Sequence, residues 1–470
     1  MNLEHTIFMT LIKSISGIRG TIGGVVGDNL TPVDAVKFAS AYGTWLKKDT
    51  DTPHPVVVVG RDARISGMMI QQLVMNSLVG LGIHVIDLGL STTPTVEIAV
   101  PKENADGGII LTASHNPKQW NALKLLNNKG EFLNAENGKK ILEIAENDEY
   151  IFAEVDDLGS IIPKDDYIEL HIDEVLNLPL VNKELVKNAG FKVVVDAVNS
   201  TGGIAIPGLL KRLGVETVEL YCEPNGHFPH NPEPLKEHLT DLSELVVKEK
   251  ADLGITVDPD VDRLAFMSEN GEMFGEEYTL VACADFVLSK TPGNTVSNLS
   301  SSRALRDVTQ KHNGNYEASA VGEVNVVEKM KANNAIIGGE GNGGIIYPAS
   351  HYGRDSLVGV ALFLTHLAEK KCSVSALKDS YPSYFMSKNK IQLTPDLNVD
   401  LILDGFHKKH ANEEVSTVDG VKVDFENSWV HLRKSNTEPI IRIYTEALSQ
   451  EEADQLAQDT IHTLKEIAGI

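Results

Sequence analysis

The chain of 470 residues has few cysteines, a deficit of positive charge and no long apolar run. Its three cysteines, Cys222, Cys283 and Cys372, are far apart and form no CxxC pair. An odd, scattered set argues against a disulfide framework and reads as reduced, buried small residues in a cytoplasmic protein. Lys and Arg number 42 against 66 Asp and Glu, a net charge of −24. Such a chain repels nucleic acid and anionic membranes, so any phosphate must be bound by a local basic pocket. No stretch approaches the ~20 consecutive apolar residues of a membrane span. The opening MNLEHTIFMTLIK carries Glu4 and His5 where a secretory leader carries positive charge, and no small-residue cleavage site follows; Met9 is an alternative start to Met1.

Hydrophobic residues make up 42% and charged residues 23%, the balance of a globular protein of about three domains. One pattern occurs three times: an apolar strand, a Gly/Ser/Asp-rich turn, a helix and a second strand. The copies begin at PVVVVGRDARISG (55–67), FKVVVDAVNSTGG (191–203) and NTVSNLSSSRALRDV (294–308). Continuous β-branched runs alternating with helices predict buried, mostly parallel strands covered by helices. The stretch ALFLTHLAEKK predicts a helix closing the third module. The last hundred residues break the pattern, with strands at VKVDF, SWVHLR and IIRIYTEA and a terminal helix capped by Ser449. The expected fold class is therefore α/β, with three related modules and a smaller C-terminal α+β domain.

Four polar clusters each follow an apolar strand: TASHNP (112–117), DPDVDR (258–263), GEGNGG (339–344) and RKSNTEP (433–439). Ligands of parallel α/β modules bind beyond the carboxyl ends of strands, so these loops are the candidate site. In DPDVDR, Asp258, Asp260 and Asp262 put three carboxylates within five residues. They repel unless a cation sits among them, and an all-oxygen set suits Mg²⁺. An acidic surface turn is the plainer alternative. An EF-hand is excluded, although Glu269 falls at the twelfth position, because Arg263 stands where that loop needs glycine.

Ser114 lacks the G-x-S-x-G elbow of a serine hydrolase, and its neighbour His115 points the other way in extended chain. Beside a three-aspartate loop, the serine reads as a phosphoryl acceptor or as a turn cap. In RKSNTEP, Arg433, Ser435, Asn436 and Thr437 are a compact donor set for a phosphate dianion, to which Arg442 adds charge; an ordinary polar turn would look similar. Glu340 and Asn342 supply groups for vicinal hydroxyls. GIRGTIGG (17–24) places Arg19 in a flexible glycine loop, and Lys124 follows Ser114 by ten residues as a counter-charge or proton shuttle.

Taken in order, TASHNP, DPDVDR, GEGNGG and RKSNTEP resemble the α-D-phosphohexomutase superfamily, which includes phosphoglucomutases, phosphomannomutases and phosphoglucosamine mutases. The resemblance spans the chain from GIRG to the end. It implies four domains around a central cleft, which the motifs place at 1–158, 159–265, 266–374 and 375–470 and which carry the serine, metal, sugar and phosphate loops respectively. It further implies that Ser114 is a phosphoserine bound to Mg²⁺ with Asp258, Asp260 and Asp262. Arg263 and Arg19 then neutralise the phosphoserine, Lys124 is the general acid/base, and His115 joins the catalytic set. Glu340 and Asn342 would read sugar hydroxyls, and Arg433, Ser435, Asn436 and Thr437 would clamp the non-reacting phosphate.

The implied activity is interconversion of hexose 6-phosphate and 1-phosphate through a hexose 1,6-bisphosphate, which is also the activator. The partners are phosphosugars, with no nucleic acid or membrane, and a homodimer is left open. Glu323 stands where glucose and mannose mutases tend to carry histidine, which points to an ammonium and hence to glucosamine phosphate; a helix-capping role is the alternative. Gly344 stands where related enzymes often have histidine, and GRDS (353–356) with the form of GEGNGG looks like the archaeal-type branch. A broad phosphoglucomutase/phosphomannomutase, a metal-dependent sugar phosphatase and a non-catalytic phosphosugar sensor are the competing readings.

Overall fold

A computed structural model describes residues 9–14, 17–50, 52–392, 397–434 and 440–469. The chain forms two compact units, one of Met1–Thr279 with Gly343–Ser375, the other of Leu280–Asn342 with Ala376–Ile470.

The first unit holds two sheets. The larger has seven strands in the order Ile12–Ser14, Gly17–Thr21, Trp120–Leu126, Gly107–Leu111, Val56–Arg61, His84–Leu90 and Ile161–Pro163. The first four are antiparallel neighbours, and from Gly107–Leu111 onward the pairing is parallel. Alternation along Val56–Arg61 explains why it sits in the middle. Val57 and Val59 enter a core beneath Pro32–Thr50, Gly67–Gly80 and Ala135–Glu146, while Val58 enters another beneath Thr93–Lys102. The edge strand Ile161–Pro163 lies beyond residue 158, so this sheet runs past the boundary expected there.

The second sheet runs Leu264–Ser268, Leu253–Val257, Lys192–Asp196 and Glu216–Leu220. Its last two pairings are parallel and its first antiparallel. The helix expected at ALFLTHLAEKK is present as Ser356–Lys370 and packs on Tyr167–Leu176, Lys183–Ala189 and Gly202–Leu213. It lies against these helices of the first unit.

In the second unit, Tyr316–Ser319, Asn294–Asn298 and Ala335–Glu340 are parallel neighbours. The C-terminal sheet is antiparallel throughout, in the order Phe385–Gln392, Ile440–Ala447, Trp429–Lys434, Val421–Asp424 and Glu414–Ser416. Helices Val399–Lys409 and Gln450–Ala468 supply Phe406 and Leu464 to its core. Ser449 caps the terminal helix as expected, its side chain accepting from the Glu452 amide. Among the described residues no helix is long and apolar enough to cross a membrane.

Candidate functional site

The serine loop leaves the fully buried strand Gly107–Leu111. Its shape is imposed from below by Arg64, itself buried, which comes from the turn after Val56–Arg61. The guanidinium donates to four carbonyls of the loop: Ser114 at 2.5 Å, Asn116 at 2.7 Å, Pro117 at 2.8 Å and Trp120 at 3.0 Å. Asp62 balances that charge at 2.9 Å and also accepts from the Thr112 hydroxyl at 2.7 Å. Thr112 in turn accepts from the Ser114 amide at 2.9 Å. Ser114 is held at φ 48°, in left-handed space that a serine occupies only when its surroundings dictate it.

The aspartate loop leaves Leu253–Val257 in the neighbouring sheet of the same unit. Val261, β-branched and at φ 65°, is a strained residue at its apex. Asp258 Oδ1 accepts from the amides of Asp262 and Arg263, at 3.2 and 3.1 Å, which closes the loop on itself. Ser200 and Thr201 hydroxyls donate to the Pro259 carbonyl at 2.6 and 3.0 Å. Asp258, Asp260 and Asp262 are buried and offer oxygens all within 4.8 Å of one another.

The two loops meet where the Ser114 hydroxyl donates to Asp258 Oδ2 at 2.6 Å. Lys124, on the strand Trp120–Leu126, places Nζ 2.7 Å from Asp260 Oδ2 and 3.5 Å from Asp262 Oδ2. Thr93 donates to Asp260 Oδ2 at 2.5 Å, and Arg354 donates to Asp262 Oδ2 at 2.6 Å. Asp260 Oδ1 and Asp262 Oδ1 are buried with no hydrogen-bond partner among the described residues. Burial, then the charges of Asp260 and Asp262, push the Asp258 carboxyl well above its ordinary range, against the pull of Arg263. Burial also works against ionised Asp260, but the Lys124 ammonium outweighs it and holds that carboxyl low. Orphaned carboxylate oxygens and an up-shifted carboxyl are what an all-oxygen site shows when it lacks positive charge. The donor set fits a hard divalent cation such as Mg²⁺.

A cationic rim surrounds this group. Burial and then the charge of Arg263, with smaller contributions from Arg19 and Arg354, push the His115 imidazole well below its ordinary value, opposed by Asp262. His115 is therefore neutral, and its Nδ1 makes no hydrogen bond among the described residues. Arg19 is not in a flexible loop. It lies on the strand Gly17–Thr21, opposite Ala122, because the backbone of Trp120–Leu126 supplies ladder partners that the glycines alone do not reveal. The first unit thus brings together Ser114, Lys124, His115, Arg19, Arg263 and the three aspartates. Arg64, Thr93 and Arg354 belong with them and escape a motif reading; for Arg354 the signal was the cation in GRDS, directly before a helix cap.

The second unit carries the remaining candidates. Glu340 ends the strand Ala335–Glu340, two residues inside the glycine cluster, and its Oε1 accepts from Asn298 Nδ2 at 2.8 Å and the Gly322 amide at 3.1 Å. Asn342 lies in the turn that follows. Glu323 is buried in the first turn of the helix Glu323–Asn333. Arg433 lies on the strand Trp429–Lys434, with Nε 2.7 Å from Asp419 Oδ2, and the exposed Arg442 faces it across the ladder. Ser435, Asn436 and Thr437 lie outside the described residues.

Four family profiles match the chain in order. They are phosphoglucomutase/phosphomannomutase α/β/α domain I at residues 12–151, domain II at 169–271, domain III at 275–384 and the C-terminal domain at 394–463. A phosphoglucomutase/phosphomannomutase of Thermococcus kodakarensis is 35% identical over 451 residues, covering 95% of this chain and 98% of the relative. A phosphoglucosamine/phosphogalactosamine mutase of Sulfurisphaera tokodaii is 31% identical over 449 residues, covering 94% and 97%. The crystal structure of a phosphoglucomutase/phosphomannomutase family protein from Burkholderia thailandensis superposes with a TM-score of 0.83 at 26% identity, covering 97% of this chain and 98% of that one. From one end to the other, the chain belongs to the phosphoglucomutase/phosphomannomutase family of phosphohexomutases, which are isomerases of the α-D-phosphohexomutase superfamily.

Proposed function

We propose that this phosphohexomutase moves a phosphoryl group between Ser114 and the 1- and 6-oxygens of glucosamine phosphate. The observation that carries the chemistry is the Ser114 hydroxyl seated 2.6 Å from Asp258 within three buried carboxylates that have oxygens to spare. A divalent cation, Mg²⁺ by its donor set, would be held by Ser114 and one oxygen from each of Asp258, Asp260 and Asp262, where it would screen the phosphoryl charge.

The chain's own residues do the rest. Arg64 fixes the loop so that the Ser114 oxygen is presented without reorganisation. Arg19, Arg263 and Arg354, with neutral His115 beside them, provide the positive rim for the spread charge of the transferring group. Phosphorylated Ser114 gives its phosphoryl to the free sugar hydroxyl: the bond from phosphorus to the serine oxygen breaks and one to the sugar oxygen forms. The resulting 1,6-bisphosphate turns over and returns its other phosphoryl to Ser114. Lys124 takes the proton of the attacking sugar hydroxyl as its neutral amine, is then held as an ammonium by Asp260 and Asp262, and gives that proton to the sugar oxygen that departs when the bisphosphate returns a phosphoryl to Ser114. Arg433, with Ser435, Asn436, Thr437 and Arg442, holds the phosphate that is not reacting, while Glu340 and Asn342 read the hydroxyls.

For the sugar, buried Glu323 supports a cationic amino group, as do the archaeal relatives named as phosphoglucosamine mutases. The Thermococcus relative, named for glucose and mannose phosphates, supports broad specificity as the second reading. Phosphorus NMR on glucosamine, glucose and mannose 6-phosphates, with Mg²⁺ and catalytic glucose 1,6-bisphosphate, separates the two. Preferential conversion of the amino sugar is expected, with Ser114→Ala inactive. Glu323→Gln is expected to lower kcat/KM for glucosamine 6-phosphate about tenfold and to leave glucose 6-phosphate within about twofold. Equal losses on both sugars would remove the amino-sugar reading, and inorganic phosphate released in place of isomer would make the enzyme a phosphatase.

A further inference from the structure

Asp419 lies in the turn between Glu414–Ser416 and Val421–Asp424, and none of the four motifs includes it. The turn is pressed against the neighbouring strand: Gly420 has φ +72°, and a Cβ there would lie 2.0 Å from the Leu432 carbonyl. Asp419 is therefore fixed beside Trp429–Lys434, and it is gripped from three sides. Its Oδ2 stands 2.7 Å from Arg433 Nε as an ion pair that is not aligned as a hydrogen bond, and it accepts from the Val321 amide at 3.0 Å. Its backbone carbonyl is 2.7 Å from His431 Nε2, which must be the protonated nitrogen, since a carbonyl only accepts. His431 Nδ1 is thereby the acceptor for the Ser300 hydroxyl, at 2.9 Å.

The next amide after Val321 is that of Gly322, and it donates to Glu340. Two consecutive amides directly before Glu323 are thus held by two carboxylates, one beside the phosphate-holding arginine and one from the sugar loop.

We propose that Asp419 is a positioning residue that fixes Arg433 and the 321–323 segment relative to each other, so that the sugar substituent is read at a set distance from the held phosphate. This rests on the roles given above to Arg433 and Glu323. Asp419 approaches Arg433 at Nε, the base of the guanidinium, from the side of the neighbouring turn. An aspartate tethered by its own carbonyl and by a second donor does not swing away as a competing anion would. Orientation therefore outweighs charge neutralisation at this pair.

Three variants test it in assays on glucosamine 6-phosphate and glucose 6-phosphate, with thermal melts as a check on folding. Asp419→Asn retains an oxygen for the Val321 amide but loses the charge. It is expected to raise KM for both sugars about tenfold and to preserve the ratio of their kcat/KM values. Asp419→Ala loses both contacts and is expected to shift that ratio at least about threefold as well. Arg433→Gln should raise KM for both sugars. If it does while both Asp419 variants match the wild type, or if Asp419→Asn lowers KM, the positioning role is wrong and the phosphate clamp stands. If Arg433→Gln leaves KM unchanged, the clamp fails and the role of Asp419 falls with it.

Discussion

His431 shows how a single buried side chain can make stability depend on pH. It is buried on the strand Trp429–Lys434, and burial pushes its pKa down to about 4, with the Asp419 carbonyl opposing and the charges of Lys422 and Arg433 reinforcing the shift. The unfolded chain, with an ordinary histidine, takes up a proton first as pH falls below about 6.5. The folded form then loses stability progressively down to about pH 4, by about 3 kcal/mol in total. The stability gap between wild type and His431→Asn, measured by urea unfolding, should therefore narrow by about that amount between pH 7 and pH 4. A gap that does not change with pH would mean that the histidine titrates normally. At this scale Ser114 and the three aspartates were legible because each motif holds its chemistry within a few consecutive residues. Arg64, Thr93 and Arg354 act on groups far away in the chain, and a linear reading has no term for that proximity.

Among the elements, the helix Ser356–Lys370 joins remote parts of the first unit, and Asp355 governs its start. The carboxylate caps the amides of Leu357 and Val358 at 2.8 and 3.2 Å and also meets His171 and His351 at 2.8 and 3.1 Å. Burial disfavours its charge, but the two imidazoles more than offset this and keep it ionised. Asp355→Ala removes a cap and a buried partner together, and should cost about 3 kcal/mol or more in denaturant unfolding. Asp355→Asn keeps the capping oxygen and should recover about 1 kcal/mol of that. Equal losses would place the whole effect on the histidine contacts. The strand–helix–strand units were legible from their apolar periodicity. The edge strand Ile161–Pro163 was not: three exposed residues ending in proline look like a linker, and only the open edge of His84–Leu90 makes them a strand.

Over the whole molecule, the net charge of −24 coexists with cations gathered at the serine and aspartate loops. The exterior carries an excess of like charge that the folded state must keep close together. Screening should relieve it: moving from about 10 to about 150 mM NaCl shortens the Debye length from roughly 30 to 8 Å. The midpoint of thermal unfolding is expected to rise by about 3 °C over that range. A midpoint that falls with salt would show that attractive ion pairs, not self-repulsion, dominate at long range.

The chain passes between its two compact units three times, leaving the first after Thr279, returning for Gly343–Ser375 and leaving again. On the ribosome this imposes an order of events. Arg354, which pairs with Asp262, and the buried helix that follows it are translated only after 280–342 have emerged. At about 5–20 residues per second, the aspartate cluster waits several seconds for that partner. The 280–342 segment must in turn stay out of wrong associations until Ala376–Ile470 is made. The nascent enzyme therefore cannot be assembled one finished piece at a time, and a synonymous change that slows translation between 280 and 375 would lengthen the interval in which both cores stand incomplete.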